Sequence, residues 1–135
     1  MEIASDGTRR DEGLASRILD ALFDASSAAV ELYDARGALL DINAGSLAIF
    51  GIDDKREIAD FEFFSDPNIT PARRAEIEAG RGVSYETTID FDEVRRTGLF
   101  KTRKSGKVRL SVRIVPVLDG AGRLERILFV GDELR

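Results

Sequence analysis

The sequence predicts an α+β domain: a five-stranded antiparallel sheet, short helices on one face and an amphipathic helix at the N-terminus. Helical periodicity comes first along the chain, followed by a strand pair, short helical segments and three further strands. The 135 residues are enough for one domain with a hydrophobic core. A content of 43% hydrophobic and 33% charged residues is typical of a folded chain.

The first predicted element is an amphipathic helix over residues 12–24. Leu14, Ile18 and Leu22 recur every four residues, as on one face of a helix. The polar residues 1–11 are expected to form a disordered or extended tail, ahead of a single domain over residues 12–135. Because an apolar stripe needs a partner, we expect these three residues to pack on the body of the domain or on a second copy of the chain, and we predict a homodimer contact.

A β-hairpin and a capped helix are predicted next. Alternating residues at 30–33 and 38–42 flank a tight turn in which Gly37 is free to take a positive φ. Asn43 then occupies the N-cap position of a short helix, and Gly51 suits its end. The aromatic residues after this helix are expected to insert into the core.

The second half of the chain predicts one further helix and three strands. The helix is expected from Thr70-Pro71 to Gly80. Residues 83–91 and 108–114 alternate in polarity, whereas residues 124–130 are apolar on both faces. An apolar strand of that kind is typical of a central position in the sheet. Residues 92–98 are expected to form a bulge or a short helical turn.

The composition excludes several chemistries. The chain contains no cysteine and no histidine, so it has no thiolate nucleophile, imidazole base or phosphoacceptor histidine. A net charge of −5 argues against a dedicated nucleic-acid binder. No apolar run is long enough for a signal peptide or a membrane span, so we expect a cytoplasmic location and no membrane insertion.

Several short motifs in this order resemble the PAS domain family of sensory modules. The matching segments are residues 37–43 (GALLDIN), 48–52 (AIFGI), 64–68 (FSDPN), 114–117 (IVPV) and 131–132 (GD). The resemblance covers residues 12–134. It implies a regulatory module of a bacterial two-component system, of the sensor histidine kinase type. The chain departs from the family where Asp132 is followed by Glu133-Leu134 instead of the frequent Ile-Thr.

The resemblance also implies roles for particular residues. It places a ligand pocket between the inner face of the sheet and the short helices, with Tyr85 as its polar group. It implies that Asn43 and Asp132 relay a signal to a downstream effector domain or kinase. Plain hydrophobic core is the more ordinary interpretation of the candidate pocket residues, which are Phe50, Phe64, Ile69, Ile77, Tyr85, Ile89, Leu110, Val112 and Phe129.

The cofactor is left open at this point. Flavin or chromophore attachment in the family requires a cysteine, and haem ligation usually requires a histidine, so both are disfavoured. Tyr33 and Tyr85 are expected to be core residues with satisfied hydroxyls, not iron ligands. A non-covalent small molecule, flavin included, or no ligand at all, is consistent with the residues. No metal site is expected.

Two alternatives accompany the sensory interpretation. The chain is not expected to be an enzyme, but a small cone-type α+β enzyme with a buried carboxylate base has the same general architecture. The second alternative depends on residues 95–109, which contain seven basic residues and no acid. That segment is expected to be a solvated hairpin or a contact for an acidic partner.

Overall fold

A computed structural model describes residues 2–135, with side chains from residue 13 onward. Four α-helices occur within these residues: α1 Glu2–Ala25, α2 Ala44–Phe50, α3 Pro71–Glu78 and α4 Phe91–Thr97. Two short 3₁₀ turns lie between α2 and α3, at Lys55–Ile58 and Phe63–Ser65. The strands are β1 Ala29–Asp34, β2 Leu39–Ile42, β3 Val83–Asp90, β4 Lys107–Leu118 and β5 Leu124–Leu134.

The five strands form one antiparallel sheet in the order β2-β1-β5-β4-β3. The predicted α+β class is therefore confirmed. The last strand, β5, lies in the centre, as its apolar character on both faces predicts. It joins the N-terminal hairpin to the C-terminal meander, with Leu32 of β1 opposite Leu128. α2 packs against β1, α3 against β3 and β4, and α4 against β3.

The predicted helix ends follow from local hydrogen bonding. The Asn43 side chain accepts the Ser46 N–H at the start of α2, and Gly51 ends this helix at φ 67°. Thr70 caps α3, whose first residue is Pro71. Residues 92–97 lie in the short helix α4, which Gly98 ends, and the Asp90 side chain accepts backbone N–H groups at its first turn. That helix replaces the alternative of a bulge.

The N-terminal helix begins earlier than its apolar pattern indicates. α1 starts at Glu2 instead of near residue 12, so residues 2–11 are helical and not an extended tail. The segment contains no proline, and most of its residues have ordinary helix propensity. A polar segment of this kind can continue a helix without presenting an apolar face. The domain boundary at residue 12 stays a prediction.

The basic segment 95–109 is not a hairpin. It comprises the end of α4, a loop and the start of β4. Its basic side chains mostly pair within the molecule: Arg95 with Asp92, Arg96 with Glu93, Lys101 with Glu57, Arg103 with Asp53 and Arg109 with Glu86. Its charge is therefore largely compensated locally.

The core lies between the helices and the inner face of the sheet. Ile77 of α3 and Leu110, Ile114 and Ile127 of the central strands are completely buried. α1 packs against α2, and its Leu14, Ile18 and Leu22 are 48–60% exposed. Within residues 2–135, no helix combines the length and apolar character that crossing a membrane requires.

Candidate functional site

A cavity of about 330 Å³ opens on the inner face of the sheet, near the C-terminal end of α2. This volume lies at the lower end of the roughly 300–1,000 Å³ typical of small-molecule pockets. The cavity wall comes from β1, β3 and β5, the segment between α2 and α3, α4 and the loop that follows α4. Its lining residues are Glu31, Tyr33, Phe50, Ile58, Phe61, Phe63, Asp66, Pro67, Asn68, Thr87, Thr88, Ile89, Asp90, Glu93, Val94, Thr97, Leu99, Phe100 and Phe129.

Aromatic rings form much of this wall. Tyr33 and Phe63 lie 5.0 Å apart between ring centroids, and Phe50 meets Phe100 edge to face at 5.8 Å. The loop that bears Phe100 is fixed to the end of α2, because the Thr102 hydroxyl donates to the Phe50 carbonyl at 2.6 Å. The wall is thus held by hydrogen bonds outside the cavity as well as by packing inside it.

A carboxyl group lies at the base of this apolar wall. Glu31 is 6% exposed, and its two oxygens each accept a hydroxyl hydrogen bond at 2.5 Å, from Tyr33 and from Ser46. Burial raises the pKa of the Glu31 carboxyl above its ordinary value, and the two hydroxyl donors offset part of that effect. Nearby Asp66 raises the Glu31 pKa further.

Asn43 connects this carboxyl to the N-terminal helix. Its side-chain oxygen accepts the backbone N–H groups of Val30 and Ser46, both at 2.9 Å. Its side-chain nitrogen donates to the carbonyl of Phe23 in the last turn of α1 at 2.8 Å, and to that of Ala28 at 3.0 Å. A continuous set of hydrogen bonds therefore leads from the cavity through Glu31, Ser46 and Asn43 to α1. We call it the Glu31–Asn43 chain.

A second polar group lies beside the cavity, around Asp66. Burial raises the pKa of the Asp66 carboxyl, which accepts the Asn68 N–H at 2.9 Å. The Asn68 side-chain oxygen in turn accepts the Thr87 hydroxyl at 2.9 Å. The Arg73 guanidinium lies 4.2 Å from the centre of the Tyr85 ring. These contacts fix the segment that closes the α3 side of the cavity.

The two tyrosines differ in their hydroxyl groups. Tyr33 donates to Glu31, which confirms the expectation of a satisfied core hydroxyl. The same expectation is wrong for Tyr85, whose buried hydroxyl has no hydrogen-bond partner among the described residues. Burial raises the pKa of Tyr85 well above its ordinary value. Its position on β3 turns the ring toward Arg73, which offers a cation to the ring face and no acceptor to the hydroxyl.

The structure divides the nine candidate pocket residues into two sets. Three of them, Phe50, Ile89 and Phe129, line the cavity. The others do not: Ile69, Ile77, Leu110 and Val112 are buried elsewhere in the core, while Phe64 and Tyr85 are partly buried against it. Inward-facing strand positions include both the cavity wall and the sealed core, so an apolar residue type alone does not separate the sets.

The two candidate relay residues lie in different surroundings. Asn43 is fully buried, at the centre of the Glu31–Asn43 chain. Asp132 is exposed on β5, opposite Ser111 of β4. Sequence reasoning missed Glu31 and Ser46, the polar centre of the site. The feature of the sequence that could have pointed to Ser46 is Asn43, because Ser46 is the third residue of the helix that Asn43 caps.

Comparison with known proteins identifies the fold. Neither a family model nor a curated protein matches the sequence. Among solved structures, the PAS domain of an HTR-like protein from Haloarcula marismortui aligns with a TM-score of 0.64 and 17% identity, over 96% of this chain and 99% of that one. A domain of a sensory box sensor histidine kinase/response regulator from Geobacter sulfurreducens aligns at 0.63 and 20%, over 87% and 92%.

A third solved structure agrees with these two. The PAS domain of a Colwellia psychrerythraea protein aligns with a TM-score of 0.65 and 15% identity, over 89% of this chain and 97% of that one. At identities this low the likeness concerns the fold alone. The chain has the fold of PAS domains.

Proposed function

We propose that this chain is a sensory module: a small molecule binds non-covalently in the cavity, and the signal passes through a homodimer to a separate effector domain, such as a kinase. The observation that supports this most strongly is the Glu31–Asn43 chain, which joins the cavity wall to α1. The PAS fold makes a sensory role the natural starting point. The cytoplasmic location expected from the sequence belongs to the same proposal.

The Glu31–Asn43 chain gives the signal a physical route. A ligand that hydrogen-bonds to Glu31 competes with the Ser46 hydroxyl for a carboxylate oxygen. Ser46 is the residue whose N–H the Asn43 side chain accepts, and Asn43 also holds the carbonyl of Phe23 in α1. Occupancy of the cavity therefore changes the free energy of the contact that anchors the end of α1. Asp132, predicted as the exit of the signal, follows Gly131, which pairs with Ala29 of β1 next to the Ala28 carbonyl that Asn43 holds.

The proposed dimer contact is the apolar stripe of α1. Leu14, Ile18 and Leu22 are exposed, as is Leu19 at 65%. A helix that exposes four large apolar side chains can pack against the same helix of a second copy, since each apolar stripe then buries the other. A signal that alters how α1 is anchored then alters the geometry of the dimer.

Sedimentation or light scattering at high micromolar concentration tests the dimer. We expect the unmodified chain to be dimeric and the double variant Ile18→Ser, Leu22→Ser to be monomeric with an unchanged far-ultraviolet spectrum. The matched control is Leu118→Ser, which removes an apolar side chain of similar exposure from the end of β4. A strictly monomeric unmodified chain contradicts the dimer, as does dissociation by the control variant.

The cone-type enzyme is a second candidate, favoured by the buried Glu31 carboxyl at the cavity. Acid–base catalysis by Glu31 would require one of its oxygens to leave Tyr33 or Ser46 and face the substrate. The two candidates differ in what happens to a bound molecule. Mass spectrometry of the compound after incubation recovers it unchanged from a sensor and converted from an enzyme.

A further inference from the structure

Among the residues that the structure describes, the cavity wall contains acids and aromatic rings but no basic side chain. Six aromatic rings line the cavity, and no lysine or arginine is among the lining residues that the structure describes. Four acidic residues line it: Glu31, Asp66, Asp90 and Glu93. A wall of this composition favours a ligand with an apolar body and a positive charge, because an anion would meet carboxyl groups and no counter-charge.

Glu31 is the acid among these four that is most in need of a counter-charge. Asp90 caps α4, and Glu93 forms an ion pair with Arg96. Asp66 has Arg73 near it. Glu31 is nearly completely buried, and within the described residues its hydrogen-bond donors are neutral hydroxyls and no ion pair reaches it. A buried carboxylate without a cation is costly, so a cationic ligand that pairs with Glu31 reduces that cost.

We propose that the cavity recognises a small organic cation, an aromatic or aliphatic amine whose ammonium group pairs with Glu31 while its apolar body lies against the aromatic wall. This inference rests on the proposed sensory function and specifies its ligand. The donors that meet Glu31 among the described residues are the neutral hydroxyls of Tyr33 and Ser46, and burial raises the pKa of its carboxyl. The Tyr33 hydroxyl contacts this carboxyl, and the Tyr33 ring packs on Phe63 with 5.0 Å between the ring centroids.

A neutral hydrogen-bond donor and a cation would interact differently with Glu31 and the rings around it. A neutral hydroxyl adds one more hydrogen bond of the kind that Tyr33 and Ser46 already provide. An ammonium group adds a charge-assisted hydrogen bond, and attraction to the faces of the surrounding rings, in a place where water competes poorly. The geometry therefore predicts selectivity by charge among molecules of nearly equal shape.

Three probes of similar shape test the charge selectivity: phenethylamine, 2-phenylethanol and phenylacetate. Titration calorimetry at pH 7.5, with amide NMR shifts at residues 31–33 to locate the probe, is expected to show phenethylamine binding about tenfold more tightly than 2-phenylethanol. Phenylacetate is expected not to bind. Glu31→Gln should abolish the preference for the amine. The matched control Glu86→Gln, at an exposed position on β3, should retain it.

Each outcome bears on the proposal. Equal or tighter binding of 2-phenylethanol or phenylacetate overturns charge selectivity, yet leaves a ligand-binding sensor intact. No binding of phenethylamine at millimolar concentration also overturns it, while the dimer measurement stands independently. A preference for the amine that persists in Glu31→Gln assigns recognition to another group and contradicts the role of Glu31. The three-probe comparison on the unmodified chain decides the question even if Glu31→Gln does not fold.

Discussion

The two halves of the core differ in the polarity of the residues that they bury. On the side of β3, β4 and α3, the buried residues are apolar, with Ile77, Leu110 and Ile114 completely enclosed. On the side of β1 and α2, the same inner face buries a carboxylic acid, a serine and an asparagine. We call these the apolar half and the polar half of the core. Of the two, the polar half depends on a complete set of hydrogen bonds.

This difference shows where the fold is specialised. Apolar packing tolerates changes of shape at a moderate cost, whereas a buried polar network loses much of its value when one member is removed. A protein that only needed a stable core would gain little from Glu31 in this place. The polar half also adjoins both the cavity and α1. The half of the core that depends on a complete hydrogen-bond network is therefore the half in contact with the proposed ligand.

The largest expected effect comes from removing the centre of the polar half. Asn43→Ala deletes the N-cap of α2 and the side-chain partners of four backbone groups, at Phe23, Ala28, Val30 and Ser46. A lost cap costs about 1 kcal/mol and each unsatisfied buried group about 1–3 kcal/mol, so we expect a loss of about 3 kcal/mol or more. Urea unfolding followed by circular dichroism measures the change.

Two control variants show whether the cost of Asn43→Ala is specific to the polar half. Thr70→Ala also removes an N-cap, but an exposed one, and should cost about 1 kcal/mol or less. Ile77→Val trims the apolar half and should cost about 0.5–1.5 kcal/mol. If Asn43→Ala costs no more than these two variants, the two halves of the core do not differ in the way we describe.

The second prediction concerns pH. The pKa of Glu31 is raised in the folded state from its ordinary value of 4.5, mainly by burial. The stability associated with the protonated carboxyl is therefore full below about pH 4.5 and is lost as pH rises through the folded-state pKa. Glu31→Gln has no such loss. Its free energy of unfolding should rise relative to the unmodified chain across that window, by about 1.4 kcal/mol per unit of raised pKa.

Neighbouring groups decide how this pH experiment is arranged. Tyr33, Ser46 and Asp66 face Glu31, and the pKa of the Asp66 carboxyl is also raised by burial. Both chains retain Asp66, so the difference between them isolates Glu31 better than either curve alone. Glu86→Gln controls for the loss of one surface charge. A difference between Glu31→Gln and the unmodified chain that does not change from pH 4 to pH 8 contradicts the raised pKa.

The order and type of most elements could be predicted from local patterns. Strand alternation, the cap at Asn43 and the apolar character of β5 specify elements and order, because each acts within a few residues. The start of α1 could not be predicted, since a polar helix has no hydrophobic period to mark it. The resemblance of short motifs supplied the fold family, which the solved structures support.

The polar half could not be predicted in the same way. Residues 29–34 alternate, but hydrophobicity favours Val30 and Leu32 as inward residues, whereas the structure turns Glu31 and Tyr33 inward. Tertiary contacts explain which residues of β1 face inward: the Ser46 hydroxyl donates to Glu31, and the Asn43 side chain accepts the Ser46 N–H at the start of α2. The alternation of residues 29–34 does not indicate those partners. The same limit applies to the cavity wall, where Phe61, Phe63 and Phe100 come from irregular segments.

The last prediction compares the two tyrosines, and Tyr85→Phe has the smallest expected effect of all. Tyr33→Phe removes a donor to the buried Glu31 carboxyl and should cost about 1–3 kcal/mol, because it leaves a buried carboxyl oxygen without its hydrogen-bond partner. Tyr85→Phe removes a hydroxyl that has no partner in the described structure, so its effect on unfolding should lie between zero and a gain of about 1 kcal/mol. The ring, and its contact with Arg73, is retained in the variant. A loss of more than about 1 kcal/mol would mean that an ordered water satisfies the Tyr85 hydroxyl, and the polar half of the core would then extend across β3.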